Sequence, residues 1–299
     1  MTGWVIYDRK QYDQNKWFAD ELARYCSAFS AVKLIIAEKL KFGICDNSIS
    51  FYYEGVPLKI PGYAIVRTIY PLLSFALEES GVRIFNRYAI SQVCNDKRLT
   101  YLIASGSRVP IMQTAMYDRR FFDSGVLEAA EYPCVLKSAM GHGGKEVFLA
   151  ESADEMRQCL SQIPSNEFLL QKRCDTVGKD LRVYLLGGEI IGAVLRSSSC
   201  FKSNYSLGGS VERYRLNAEE ENSVYSVLEC LPAPADFVGV DFLLDREGLI
   251  FNEIEDVVGS RMLYKTCGLN VACLFAKHVQ RCVTCPEQTK AAQRPESLP

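Results

Sequence analysis

No apolar run in this 299-residue sequence approaches the roughly 20 residues that a membrane-spanning helix needs. Excess charge of either sign is also missing, because 34 Lys and Arg face 36 Asp and Glu for a formal net charge of −2. That balance leaves no global basic field to hold nucleic acid or an anionic membrane, so neither is an expected partner and any anion must meet a local site. Histidine is scarce, with only His142 and His278, and no Ser-His-Asp or Cys-His constellation suggests itself. The amino terminus, MTGWVIYDRK, reads as a strand leading into a charged loop, not as a signal peptide, and a cytoplasmic location is expected.

Cysteine, by contrast, is plentiful, with twelve residues. Most sit inside apolar patterns (Cys134 in YPCVLK, Cys273 in NVACLFA), where a free thiol behaves as a small hydrophobe, so reduced cysteines are expected. Cys282 and Cys285 form a lone C-x-x-C with His278 one turn earlier. A structural zinc site needs four ligands at recognisable spacing, and Cys267 and Cys273 do not complete a second knuckle, so metal or redox use of this pair is not the expectation.

Hydrophobic residues make up 48% of the chain, enough for a large core divided between about two domains or subdomains. Residues 1–88 alternate strand and helix (WVIYD, NKWFADELARYCSA, KLIIA, SISFYYEG, VPLKI, AIVRT, PLLSFALEESG, VRIFN), which predicts a parallel sheet covered by helices. Residues 89–167 hold the helix NDKRLTYLIAS, a helix-like FFDSGVLEAAEY, two strands PCVLKSA and KEVFLA flanking GHGG, and the helix ADEMRQCLSQI. Residues 168–285 carry hairpins. LRVYLL and EIIGAVLR pair across Gly187-Gly188, Asn217 and Glu220 make a capping-box-like helix start, and FVGVDFLLDREGLIFNEIED forms a second hairpin ahead of two short helical runs. Residues 286–299 lack apolar periodicity and are expected to be a disordered tail.

The last hairpin carries the sharpest inference. A three-residue loop at Arg246-Glu247-Gly248 would set Asp241 opposite Glu253. Alternation then gives one apolar face of Val240, Phe242, Leu244, Ile250 and Ile254, and gathers Asp241, Glu253 and Glu255 on the other. Opposed like charges repel at a Cβ separation of about 5 Å unless a cation lies between them, and a hard divalent ion suits oxygen donors. The competing reading is an acidic face solvated by water, which a one-residue slip in register would restore.

Lys137, at the end of a strand, precedes Gly141-His142-Gly143-Gly144, a turn whose backbone could approach phosphates, although many hairpin glycines serve turn geometry alone. Lys97, Arg182, Arg196, Lys202 and Asn204 add cationic and polar groups, with surface charge as the alternative for each. A strict two-residue turn at Gly187-Gly188 would place Arg182 and Arg196 on opposite faces, so either that register is irregular or one arginine is structural.

Taken in order, NDKRLT, PCVLKSAMGHGGKEVFLAES, LLQKRC, GKDLRVYLLGGEIIGAVLR, FKSNYSLGGS, GVDFLL and FNEIED resemble the ATP-grasp superfamily, most closely its RimK-type amino-acid and peptide ligases, between about Asp96 and Lys277. The resemblance implies an α/β fold in which an amino-terminal parallel domain precedes two α+β subdomains that clasp ATP. It implies an enzyme that phosphorylates a carboxylate with ATP and joins it to an amine, with amino-acid or peptide substrates and a homo-oligomer as an open partner. By that similarity Lys97 and Lys137 would hold phosphates, Gly141, His142, Gly143 and Gly144 would cover them, and Gln171, Lys172, Arg173 and Asp180 would border the nucleotide. Asp241, Glu253 and Glu255 would bind Mg2+, two ions with Mn2+ as a substitute, and Arg182, Arg196 and Asn204 would serve phosphoryl and acyl transfer. Arg67 falls where such ligases often present an arginine to the cleft. Glu255 replaces an amide usual in that motif, and Tyr205-Ser206-Leu207 stands where RimK-type enzymes commonly carry His-Arg, which puts glutamate as the incoming amino acid in question. A kinase that stops at phosphoryl transfer and a catalytically silent nucleotide-binding module are the alternatives.

Overall fold

The structure is a computed structural model that describes residues 1–176, 178–198, 210–246 and 248–285. The expected tail at 286–299 and Lys202, Asn204 and Tyr205-Ser206-Leu207 lie outside the described residues.

The chain begins with β1 (Thr2–Tyr7), α1 (Arg9–Cys26), β2 (Ala31–Ile36), β3 (Leu40–Cys45), β4 (Ser48–Tyr53), β5 (Val56–Pro57), β6 (Tyr63–Val66), α2 (Pro71–Glu79) and β7 (Arg83–Phe85). Strands β2, β1, β6 and β7 form an all-parallel sheet in that order, as the strand–helix alternation predicts. Both faces of a parallel sheet must be covered, and β1 shows how. Val5 and Tyr7 pack on one side with Phe18, Leu22 and Cys26 of α1, while Trp4 and Ile6 pack on the other with Leu73 and Leu77 of α2. The sequence reading missed β3, which joins β4 and β5 in a small antiparallel sheet. Leu40, Phe42 and Ile44 do alternate with Lys41 and Gly43, but the segment is short, carries a glycine, and its last residues are exposed.

Next come α3 (Tyr88–Cys94), α4 (Lys97–Ala104), β8 (Thr114–Asp118), α5 (Gly125–Ala129), β9 (Cys134–Ser138), β10 (Val147–Ala150), α6 (Ala153–Ser161) and β11 (Glu167–Lys172). The sheet β10-β9-β11-β8 is antiparallel, and α5 and α6 close a separate core around Leu136, Met156 and Phe168. The helix read across FFDSGVLEAAEY shrinks to the five residues of α5. Phe122 instead stacks its edge on Tyr117 and Phe168, and that packing overrides local helical pattern.

The remainder comprises β12 (Lys179–Leu186), β13 (Glu189–Ser197), β14 (Ser210–Tyr214), α7 (Ala218–Glu229), β15 (Phe237–Asp245), β16 (Gly248–Glu255), α8 (Arg261–Cys267) and α9 (Val271–Thr284). The capping box at Asn217 and Glu220 forms as read. The sheet order is β14-β13-β12-β15-β16. Its one face, with Leu181, Val183, Val240 and Phe251, packs on α3, α4 and α7, while at one end of the other face Tyr184, Leu186 and Val194 meet α8, α9 and α1. The rest of that second face is left open and charged. None of the described helices is long and apolar enough to cross a membrane.

Candidate active site

Two β-bulges build the charged face. In the β12–β13 hairpin, Gly187 and Gly188 take φ of 62° and 85° in the tight turn, and the pairing shifts between Tyr184 and Leu185. Ile191 is the extra residue, so beyond it Asp180 lies opposite Arg196 and Arg182 opposite Val194. Opposed residues share a face, so the bulge returns Arg196 to the side of Asp180 and Arg182, which resolves the conflict in the sequence reading. In the β15–β16 hairpin the loop is one residue shorter than expected, since Asp245 pairs with Gly248. A shift between Asp241 and Phe242 absorbs the difference with Asn252 as the extra residue, and Asp241 still opposes Glu253. The apolar face is corrected accordingly: Leu249 and Phe251 join Val240, Phe242 and Ile254 in the core, while Ile250 pairs with Leu243 on the site side.

The face gathers Asp180, Arg182, Arg196, Asp241, Glu253 and Glu255. Arg182 donates from Nε and Nη2 to the two oxygens of Asp241 at 2.6 Å each, and from Nη1 to Glu255 Oε2 at 2.7 Å. Arg196 donates to Asp241 Oδ2 at 2.6 Å and engages Asp180 through Nε (2.9 Å) and Nη2. Gly239 makes room for this packing, because a Cβ there would stand 2.6 Å from Val258 Cγ2 and 3.5 Å from Arg182 Cδ. Asp241 is fully buried; burial alone would raise its carboxyl, but Arg182 and Arg196 outweigh that and hold it below the usual carboxylate range. Glu255 goes the other way, pushed up by burial and by the charges of Asp241 and Glu253 against the pull of Arg182. Acceptor oxygens of Asp241, Glu253 and Glu255 all lie within 4.8 Å of one another, close enough to ligate one ion. A carboxylate offers about four lone-pair sites, and the arginines fill three at Asp241, so about one stays open among the described contacts.

Lys97 opens α4, where Asp96 caps the helix by accepting from Arg98 N at 2.9 Å and Lys97 N donates to Ala139 O. Its ammonium lies 3.5 Å from Glu253 and also donates to Gly141 O, tying the glycine turn to the acidic trio. Lys137 is buried and donates to Asn252 Oδ1 at 2.9 Å and Tyr101 Oη at 3.2 Å. The bulge therefore sets a lysine partner as well as the register. In the turn, Gly143 and Gly144 adopt φ of 65° and 71°. Burial, with the charge of Lys97, lowers the His142 imidazolium.

Two cavities meet here. One of about 110 Å³ is lined by Lys97, Lys137, Gly141, Gly144, Gln171, Lys172, Asp180, Arg196, Asn252 and Glu253, with Val135, Val147, Cys174 and Leu243 as apolar walls. Arg173 does not line it. The other, about 480 Å³, reaches from Lys97, His142, Glu253 and Glu255 to Tyr7, Gln11, Asn15, Phe18, Arg67 and Arg261. Lys97 and Glu253 belong to both. Arg67 is buried and forms no salt bridge among the described residues, although its charge acts on Asp256 in the same cavity wall. It donates to Val258 O at 2.6 Å and lies over the rings of Phe18 and Phe237, while its Nε and the Tyr7 hydroxyl have no hydrogen-bond partner.

Residues 98–279, more than half of the chain, match the RimK-like ATP-grasp domain family. The chain belongs to that family. N-acetylaspartylglutamate synthase A from Homo sapiens is 32% identical over 210 residues, 68% of this chain and 53% of that protein. β-Citrylglutamate synthase B from Danio rerio is 28% identical over 92% of this chain and 73% of that protein. The chain thus spans about half the length of the first relative and about three quarters of the second. Among solved folds, D-alanine–D-alanine ligase from Bacillus anthracis complexed with ATP superposes with a TM-score of 0.73 at 13% identity, covering 97% of this chain and 99% of that one. A RimK-domain ATP-grasp protein from Sphaerobacter thermophilus gives 0.68 at 17% identity over 94% and 100%. The ATP-grasp fold is therefore present over nearly the whole chain.

Sequence reasoning did not single out Asn252 or Tyr101 as companions of Lys137, because an extra residue in a strand leaves no local mark and Tyr101 reads as helix packing. In this ATP-grasp chain the donor set of three carboxylates flanked by two lysines fits a hard divalent cation with an anionic substrate beside it.

Proposed function

We propose that this chain is an ATP-dependent ligase that phosphorylates a carboxylate and joins the resulting acyl group to an amine, releasing ADP and phosphate. The observation that carries the reading is the shared wall of the two cavities, where Lys97 and Glu253 face both a narrow cationic chamber and a roomier one lined by amide, aromatic and arginine side chains. The narrow chamber suits a nucleotide, with Lys137, Lys97 and Arg196 for its phosphates and Gln171 with the apolar walls for its base. The amino-terminal sheet, the glycine-turn sheet and the acidic-hairpin sheet serve as three working units at 1–88, 89–167 and 168–285, in a cytoplasmic enzyme.

Asp241, Glu253 and Glu255 would hold magnesium, as two ions or with manganese in its place, and the metal supplies neutralisation of phosphoryl charge when bound. The protein's own part is electrostatic and positional. Lys97 and Lys137 keep fixed positive charge where the γ-phosphoryl group leaves, Arg196 orients it, Arg182 braces the acidic face, and the turn from Gly141 to Gly144 excludes water that would hydrolyse the acyl phosphate. No side chain is required as a nucleophile. Asn204 is assigned to the acyl side by similarity alone.

Arg67, buried on the wall of the larger cavity and in no salt bridge among the described residues, gives that cavity a receptor for a carboxylate of the amino acid or peptide other than the one activated. Arg67→Met is expected to raise the KM for that substrate roughly 10- to 100-fold with a smaller change in kcat. Amidating the substrate's spectator carboxylate should weaken the wild type and leave the variant nearly unaffected; equal losses in both would remove Arg67 from the site.

The governing experiment is ADP release screened over amino-acid pairs and peptides, with mass spectrometry of products. Release that requires both an acid and an amine, with an amide product, is expected. Release with the acid alone and a stable phosphorylated product would mean a kinase, and ATP binding without turnover would mean a regulatory module.

A further inference from the structure

Asp236, immediately before β15, His278 in α9 and Cys282 one turn later come together, and none of them lines either cavity. Their donor atoms lie within 4.8 Å of one another. His278 Nε2 is 3.6 Å from Cys282 Sγ and 2.8 Å from Asp236 Oδ1. Zinc bonds of about 2.0–2.1 Å to nitrogen and 2.3 Å to sulfur make a tetrahedral edge of about 3.5 Å, so Sγ, which also lies 4.0 Å from Nδ1 at the flank of the ring, has the right distance and reaches a shared ion by a turn of the Cys282 side chain toward the Nε2 lone pair.

The carboxylate points the same way. Asp236 is buried; its Oδ1 takes both Arg83 Nη2 at 2.7 Å and His278, whereas Oδ2 is buried with no hydrogen-bond partner. Leaving such an oxygen unpaired is costly, and a cation supplies the partner. The ring has little freedom to turn away, since a Cβ on Gly187 would stand 2.7 Å from His278 Nδ1.

We propose that Asp236, His278 and Cys282 form a second metal site, for a soft-to-borderline divalent ion of the zinc class, separate from the acidic trio. Asp236 Oδ2, His278 Nε2 and Cys282 Sγ are the ligands, with water in the fourth position. Arg83 stays on Asp236 Oδ1 and orients the carboxylate from outside the coordination shell. Cys282 is the half-buried member, so the ion enters from its side. Uptake displaces protons from the thiol and from the imidazole. The carboxylate ligand lies 42 residues before the histidine, outside the short-range spacings by which zinc motifs are read from a sequence.

The test uses the full chain in excess Mg2+, which occupies hard-oxygen sites, titrated with Zn2+ against a chromogenic chelator and, in parallel, with Co2+. Expected are about one zinc per chain and a thiolate-to-cobalt charge-transfer band in the unmodified protein. Cys282→Ser and His278→Gln should each weaken zinc binding at least about 10-fold, while Cys285→Ser leaves it unchanged. No stoichiometric zinc, no cobalt–thiolate band, or a band that survives Cys282→Ser would overturn the site. The band in the unmodified chain decides the matter even if a variant fails to fold.

Discussion

Glu253→Gln is expected to lower metal-dependent ADP release by at least about 10²-fold while the protein stays folded, on the scale of losing one preorganised electrostatic contact at a reacting phosphoryl group. Gln keeps the shape of the side chain but removes the anionic charge at a residue that, with Lys97, touches both cavities. The folded state should barely notice. Glu253 is 27% exposed and its ion pair with Lys97 spans 3.5 Å, a contact of the kind worth about 0–1 kcal/mol. Initial rates at saturating ATP over a magnesium series, with a urea midpoint as control, provide the measurement. Wild-type turnover in the variant would take Glu253 out of the metal site.

Asp241→Asn should differ in adding a loss of stability of roughly 3–5 kcal/mol, as expected when one partner is removed from a buried charge network. Asp241 is fully buried and accepts three hydrogen bonds from Arg182 and Arg196. An amide in its place turns N–H groups toward guanidinium N–H groups and leaves two buried arginines short of an anion. Against a typical total of about 5–15 kcal/mol, such a loss is readily seen in the urea midpoint. A shift of under about 1 kcal/mol would show that the arginines are satisfied without Asp241. The two substitutions separate, within an acidic trio that looks uniform in sequence, a member that also holds the sheet together from one whose role is confined to the reactants.

Much of this was legible in the residues. The strand–helix alternation of the first 88 positions gave the parallel sheet, and the Asn217–Glu220 capping box gave the start of α7. The pairing of Asp241 with Glu253 was also anticipated, although through a loop of the wrong length. Two compensating irregularities, a shorter turn and a bulge at Asn252, restore the same pairing, and neither can be read from an apolar pattern because a bulge changes count without changing composition. For the same reason the sequence could state the conflict between Arg182 and Arg196 but not resolve it. The setting of Arg67 was illegible too, since Val258 and Phe237, which enclose it, lie about 170 to 190 positions away in the chain.

In both hairpins the working face exists only because one strand carries a supernumerary residue, Ile191 in one and Asn252 in the other. What selection must conserve at Ile191 is thus chain length before side-chain identity. Loss of a single codon between the Gly-Gly turn and Arg196 would rotate that arginine into the hydrophobic layer, so this stretch should accept replacements far more readily than deletions.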